Sequence, residues 1–205
     1  RKIFGFEVVI STRRRNPAIT ECFEKCKIVK SKDGYYYLDP MPSLDQLDSY
    51  YKNVYWQARK GRKFGANSRD FVHYHLLKNK IPDFFTTKKK VLNFGAGHCG
   101  MSNIFWFEGF DVVNIEPSGV PEFFKERWTT YTKIDDVADN SIDFVYGSHS
   151  LEHVQDINSF KKQISRIVKS SNLIFWEVPN ARNPNNGPIK NKIRIPHTFY
   201  FLVEF

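Results

Sequence analysis

The sequence has 205 residues, of which 41% are hydrophobic, 16% aromatic and 26% charged. A chain of this size buries roughly 70% of its unfolded surface, so it supports its own core, and its apolar load excludes disorder as the dominant state. The net charge of +9 is unevenly placed: residues 1–90 hold 20 Lys/Arg against 9 Asp/Glu, whereas residues 91–205 hold 11 against 13. A basic face attracts nucleic acid, an anionic membrane or a phosphorylated metabolite, and charge alone does not choose among them. Arg13-Arg14-Arg15 and Lys88-Lys89-Lys90 are short basic runs that also suit solvated turns. No apolar run reaches the ~20 residues of a membrane span. Residues 1–10 include Glu7 and lack a small-residue cleavage site, so no secretory signal is expected. Three cysteines are too few for a disulfide framework, which makes the cytoplasm the expected compartment. Cys22 and Cys26 stand four apart with no second pair to complete a tetrahedron, so no metal site is expected.

The opening segment, up to Pro40 and Pro42, reads as irregular. Ser43-Leu-Asp-Gln46 is a capping box. Leu44, Leu47, Tyr51, Val54, Tyr55 and Ala58 follow at spacings of three and four, which predicts a helix with one buried stripe, closed by Gly61. A second helix is expected after Asn67-Ser68, through Phe71, Val72, Leu76 and Leu77, until Pro82 forbids continuation. From residue 88 strands and helices alternate. Strands are expected over 91–94, 111–116, 129–134, 142–146 and 173–178. Helices are expected over 101–108 (ended by Gly109), briefly over 121–127, and along Ile157, Phe160, Ile164, Ile167 and Val168. Short links between such elements imply an α/β fold with an open, mostly parallel sheet and helices on both faces. Two domains are expected: a basic segment and helical cap over 1–87, and a core over 88–205.

The central signal is Asn93-Phe-Gly95-Ala-Gly97-His-Cys-Gly100, a G-x-G-x-x-G after a strand and before a helix. Glycine is needed where the backbone turns tightly and where a ligand must approach main-chain N–H groups. Glu116 closes the next strand, where a carboxylate suits a bidentate bond to the ribose hydroxyls of an adenosine. The bland alternative is a glycine turn that serves only helix–strand packing. No Walker lysine follows the glycines, so an NTPase is excluded.

Residues 91–97, 111–117 and 139–154, the last including Leu151-Glu-His153, together resemble the class I S-adenosylmethionine-dependent methyltransferases. The resemblance covers roughly residues 88–180 and implies a Rossmann-like fold that binds S-adenosyl-L-methionine. It implies that Asn93, Phe94, Gly95, Ala96 and Gly97 cup the methionine portion, and that Glu116, followed by Pro117, holds the ribose. Asp135, with Asp136 as its rival, would meet the adenine amino group, and Gly147, Ser148 and His149 would border the sulfonium. The family usually has an acid where Asn93 stands and a glycine where Cys99 stands. Its sheet usually ends in two further strands, which are not evident here. The Tyr-rich segment Tyr50-Tyr51 and Tyr55-Trp56 resembles the cap of sugar-type methyltransferases of bacterial surface-polysaccharide, or capsule, biosynthesis. Tyr55 is then a candidate lid residue, although an aromatic stripe at helical spacing also suits a core.

Transfer of a methyl group to a hydroxyl needs alignment and a group to remove the proton. His149, directly beyond the fourth strand, is the first candidate, with His153 and His197 as rivals. His73 and His75, on a helix, read as surface residues. The expected activity is O-methylation of a small anionic metabolite: a sugar, nucleotide sugar or phosphorylated capsule precursor. One alternative is an NAD-dependent oxidoreductase, for which no hydride-transfer set is present. Another is a basic RNA- or protein-binding module, resting on the interleaved aromatic and basic residues of 50–64. A nucleic-acid substrate is not expected, and the sequence does not give the oligomeric state.

Overall fold

The computed structural model describes residues 2–3, 6–9, 23–55, 64–87, 89–120, 124, 126–182, 192–194 and 197–201. In chain order the strands and helices are β1 (Lys2–Ile3), β2 (Phe6–Val9), β3 (Lys27–Lys30), β4 (Tyr36–Asp39), α1 (Leu44–Tyr50), α2 (Ser68–Lys80), α3 (Pro82–Thr86) and β5 (Lys90–Phe94). There follow α4 (Gly100–Phe107), β6 (Asp111–Ile115), β7 (Thr129–Tyr131), β8 (Ile142–Ser148), α5 (Ile157–Ile167), β9 (Val168–Glu177), β10 (Lys192–Arg194) and β11 (Phe199–Tyr200). Contacts gather these into two units. The first comprises Arg1–Lys60, His149–Ile157 and Glu177–Phe205; the second comprises Gly61–Ser148 and Asn158–Trp176. This division does not follow a boundary near residue 88, because α2 and α3 belong with the strand–helix run and three segments of chain make the first unit.

The second unit is the Rossmann-like part. Its five-stranded sheet has the order β7-β6-β5-β8-β9, and β5 pairs in parallel with both β6 and β8. Val91 and Leu92 on the central strand are fully buried, which is why these strands read as continuous apolar runs. Phe84, Phe105, Phe110, Val112 and Phe144 fill the core beneath them. Each fully buried side chain of this kind contributes roughly 1.5–3 kcal/mol of hydrophobic stabilisation. Because β5, β6 and β8 run the same way, residues 95–97, Glu116 and Ser148 all lie at the carboxyl edge of the sheet, where open α/β folds bind ligands.

Helix α2 starts where expected: Asn67 accepts from Asp70 N–H, and the Asp70 carboxylate accepts in return from Asn67 N–H. Its buried face is a correction. Phe71, Val72 and Leu76 are exposed, whereas His73 and Leu77 are buried. His73, expected at the surface, lies within hydrogen-bond reach of the Tyr146 hydroxyl (Nδ1···OH 2.6 Å), and that bond admits a polar ring to the core. Pro82 ends α2 but also opens α3, in the first turn, where an N–H has no intrahelical partner to lose. β9 begins at Val168, directly after α5 and earlier than expected, and its Leu173 and Ile174 are 43% and 46% exposed rather than covered.

In the first unit the expected irregular start is instead built of strands. β3 and β4 form an antiparallel hairpin closed at Gly34, whose φ of +91° favours glycine. β11 adds to the other side of β4, and β10 runs parallel to β2. Thus the two strands after β9 extend other sheets. The capping box of Ser43 and Gln46 is present at α1. The buried stripe runs through Leu47, Tyr50 and Val54, while Leu44 is exposed. One turn of π-helix, Tyr51–Tyr55, continues α1. Phe23, Cys26, Leu38, Ala181 and Tyr200 complete this core. The expected roles of Cys22, Trp56, Ala58, Gly61 and the Arg13–Arg15 run fall outside the described residues, as does most of the brief helix over 121–127.

Candidate functional site

The glycine turn is fastened to the end of β6 by main-chain bonds. Gly95 and Ala96 N–H both donate to the Ile115 carbonyl, at 2.8 and 3.1 Å. Gly97 N–H donates to Glu116 Oε2 at 2.7 Å. Gly95 and Gly97 have φ of +73° and +53°, values that side chains disfavour. Among the described residues a Cβ at Gly97 would meet only the Gly95 carbonyl, at 3.8 Å, so there is room beside this glycine. Gly100 serves packing instead, since a Cβ there would lie 2.9 Å from the Gly65 carbonyl and closer still to Asp70.

Glu116 is 5% exposed. Burial pushes its carboxyl above the ordinary value, while hydrogen bonds from Ser118 and Gly97 oppose the rise. Oε1 accepts from Ser118 N–H at 3.2 Å and from the Ser118 hydroxyl at 2.7 Å. A carboxylate has about four acceptor positions. One is therefore open on Oε2, and a two-handed grip on a ribose requires the Ser118 hydroxyl to yield the other. Pro117 is exposed on the same turn, and Ser148 is half-buried at the end of β8.

Asn93 and Phe94 turn inward. Asn93 Nδ2 donates to Ser102 Oγ at 2.8 Å, and that hydroxyl donates to Asn114 Oδ1 at 2.7 Å, so β5, α4 and β6 are tied together. The Phe94 ring packs edge-on against Phe160 and Trp176. Cys99 has φ +58°, which accounts physically for the glycine expected there. Burial, with the charge of Glu116 adding to it, pushes the Cys99 thiol up to about 12. Gly147 is required by Trp176: a Cβ on it would fall 1.5 Å from the indole ring. Asp135 and Asp136 sit on an exposed 3₁₀ turn pinned by α5, where Gln163 donates to Asp135 Oδ1 at 2.6 Å and Arg166 donates to the Ile134 and Val137 carbonyls.

The three candidate histidines gather in the first unit, as does Tyr55. His149 has φ +51° and its N–H donates to the Glu177 carbonyl at 2.9 Å. A left-handed histidine costs on the order of 1 kcal/mol, which the surrounding bonds must offset. Its Nδ1 lies 3.2 Å from Glu152 Oε1, and its Nε2 lies 3.5 Å from Glu177 Oε2. Glu152 is 1% exposed, whereas the His149 side chain is 36% exposed. His153 and His197 meet edge to face with ring centroids 5.0 Å apart. Tyr55 packs on Tyr51, whose ring meets that of His153. Sequence reasoning missed Glu152 and Glu177. Glu152 stood in plain view between Leu151 and His153, with its partner His149 three residues before it, whereas Thr198, which bonds its carbonyl, comes from elsewhere in the chain.

A sequence profile described as a methyltransferase domain matches residues 67–199. Among solved structures, the chain is similar to the 1,6-didemethyltoxoflavin-N1-methyltransferase of Burkholderia thailandensis, solved with 1,6-didemethyltoxoflavin and S-adenosylhomocysteine. Identity is 14%, the TM-score is 0.55, and the match covers 77% of this chain and 75% of that one. It is also similar to a SAM-dependent methyltransferase of Archaeoglobus fulgidus, at 21% identity and a TM-score of 0.42, over 55% of this chain and 54% of that one. The chain thus spans three-quarters of the first protein's length and about half of the second's. None of the curated proteins matches it in sequence.

Proposed function

The chain belongs to the methyltransferase-domain family, is an S-adenosylmethionine-dependent methyltransferase, and from that premise we propose that it methylates an oxygen of a small anionic metabolite. The residues fit the cofactor: among the described residues there is room beside Gly97, and the buried Glu116 keeps an acceptor position at the sheet edge. S-adenosylmethionine supplies an electrophilic methyl group on a sulfonium. In this reading Gly95, Ala96 and Gly97 hold the methionine portion through close backbone approach and their carbonyl side, since their N–H groups are bonded to Ile115 and Glu116. Asn93 and Phe94, whose side chains face inward, support the turn from below. Glu116 holds the ribose beside Pro117. Asp135 keeps its second oxygen for an adenine amino group, and Ser148 adds a contact from the end of β8.

The observation that carries the oxygen-acceptor reading is the pairing of His149 with Glu152. A buried carboxylate on Nδ1 orients a half-exposed ring, the arrangement by which a histidine is made a directed proton acceptor. His149 takes the proton of the acceptor hydroxyl on Nε2, where the Glu177 carboxylate 3.5 Å away stabilises the ring as it gains charge, and Glu152 acts as a positioning residue on Nδ1. His149 follows the last residue of β8 directly in the chain. The basic excess of residues 1–90 supports an anionic acceptor such as a sugar phosphate, nucleotide sugar or surface-polysaccharide precursor, met in the cytoplasm.

The test incubates the chain with methyl-labelled S-adenosylmethionine and a panel of hydroxylated anionic metabolites, and locates the label by mass spectrometry. Methyl ethers or esters are expected. Label only on nitrogen or on RNA, or binding of NAD without S-adenosylmethionine, would overturn the reading.

A further inference from the structure

We propose that Glu152, His153 and His197 form a binding site for one first-row divalent cation of the zinc type. Their ligand atoms all lie within 4.8 Å of one another, the one such His/Cys/Asp/Glu group found among the described residues. Glu152 Oε1 is 3.8 Å from His153 Nε2, and the His153 and His197 rings meet at 5.0 Å between centroids. Glu152 and His197 are 1% and 7% exposed.

Two features point to a cation and not merely to a buried polar cluster. Among the described residues Glu152 Oε2 is buried with no hydrogen-bond partner, a costly state for a carboxylate oxygen, and His149 satisfies only Oε1. In addition the site is held rigid from behind. Thr198 N–H donates to the Glu152 carbonyl at 2.8 Å, and the Thr198 hydroxyl lies 2.9 Å from that carbonyl and 2.6 Å from that of Val154. These bonds fix His197 beside the Leu151–His153 turn, across more than forty residues of chain.

Two imidazoles and one carboxylate are the donor set of three-ligand zinc sites and of iron(II) triads, and differ from the all-oxygen shells that magnesium and calcium prefer. Bonds of about 2.1 Å in a tetrahedron place ligand atoms roughly 3.4 Å apart, so small side-chain rotations close the present spacing. His149, bonded to the other oxygen of Glu152, fixes that carboxylate as an outer partner does. Three protein ligands leave a fourth position for water or a hydroxyl oxygen. This inference does not depend on the identity of the methyl acceptor.

The experiment titrates chelator-treated, tag-free protein with zinc and with magnesium by calorimetry, and with cobalt(II) by its visible absorption. One zinc per chain, a tetrahedral cobalt spectrum and no magnesium binding are expected. Glu152→Gln, His153→Ala and His197→Ala should each lose more than the roughly 10–100-fold that removal of a supporting partner costs. His149→Ala should fall within that range, and His75→Ala should change nothing. Circular dichroism checks each variant, and His153→Ala and His197→Ala decide the matter if Glu152→Gln does not fold. Absence of stoichiometric zinc in the folded protein, or unchanged affinity in folded His153→Ala and His197→Ala, overturns the site.

Discussion

The glycine turn and the histidine cluster solve opposite problems. The turn, from Asn93 to Glu116, is assembled from one stretch of chain and is held together mostly by main-chain groups. The cluster takes residues 149–153, 177 and 197–198 and offers side chains. A main-chain cradle is specified wherever glycine permits its backbone, and it recognises what all members of such a family share. A side-chain cluster depends on remote anchoring, and each of its residues is free to specify a different chemistry.

Substitutions that touch one region and spare the other put this contrast at risk. The largest effect is expected from His149→Ala, a loss of turnover of roughly 10²–10⁴-fold with cofactor affinity within a few-fold, read by steady-state kinetics and calorimetry. An equal fall in both would dissolve the distinction. Gly147→Ala should cost about 3 kcal/mol of stability in denaturant unfolding, because the new methyl group has no room beside Trp176. Combining it with Trp176→Leu should recover part of that loss. Glu116→Ala should weaken S-adenosylmethionine binding by about 1.5–3 kcal/mol and leave the fold intact. The same residue gives a pH signature without ligand. Its folded-state carboxyl is raised by burial, so wild-type stability falls relative to Glu116→Gln as pH climbs from 4.5 through the raised value, and the gap is constant above it. Smallest is Cys99→Val, expected to be less stable than Cys99→Gly by about 1–2 kcal/mol despite its larger apolar side chain, since a branched residue resists φ +58°.

What was legible in the sequence follows the same line. β5, the turn, α4 and β6 could be read because strand period, glycine spacing and the acid are all local. So could the caps at Ser43 and Asn67, whose partners lie three residues away. β3 and β4 were missed because β4 is completed by Phe199 and Tyr200, which no local pattern announces. The α2 stripe misled because the face turned inward is set by the Tyr146 hydroxyl that meets His73, and not by the greater hydrophobicity of Phe71 and Val72. All three histidines were visible as candidates. Their grouping around Glu152 was not, since it hangs on Thr198 bonding to carbonyls 44 and 46 positions away.

The buried thiol of Cys99 is, in effect, a clock. Held protonated and enclosed next to the glycine turn, it cannot react with an alkylating reagent while the turn is shut. Labelling of this sulfur must wait for local opening, so its rate under native conditions counts how often the cradle comes apart. A ligand that seats on the turn should slow that count in proportion to its occupancy. The protein thus carries an intrinsic timer for cradle opening at a position where glycine would have left none.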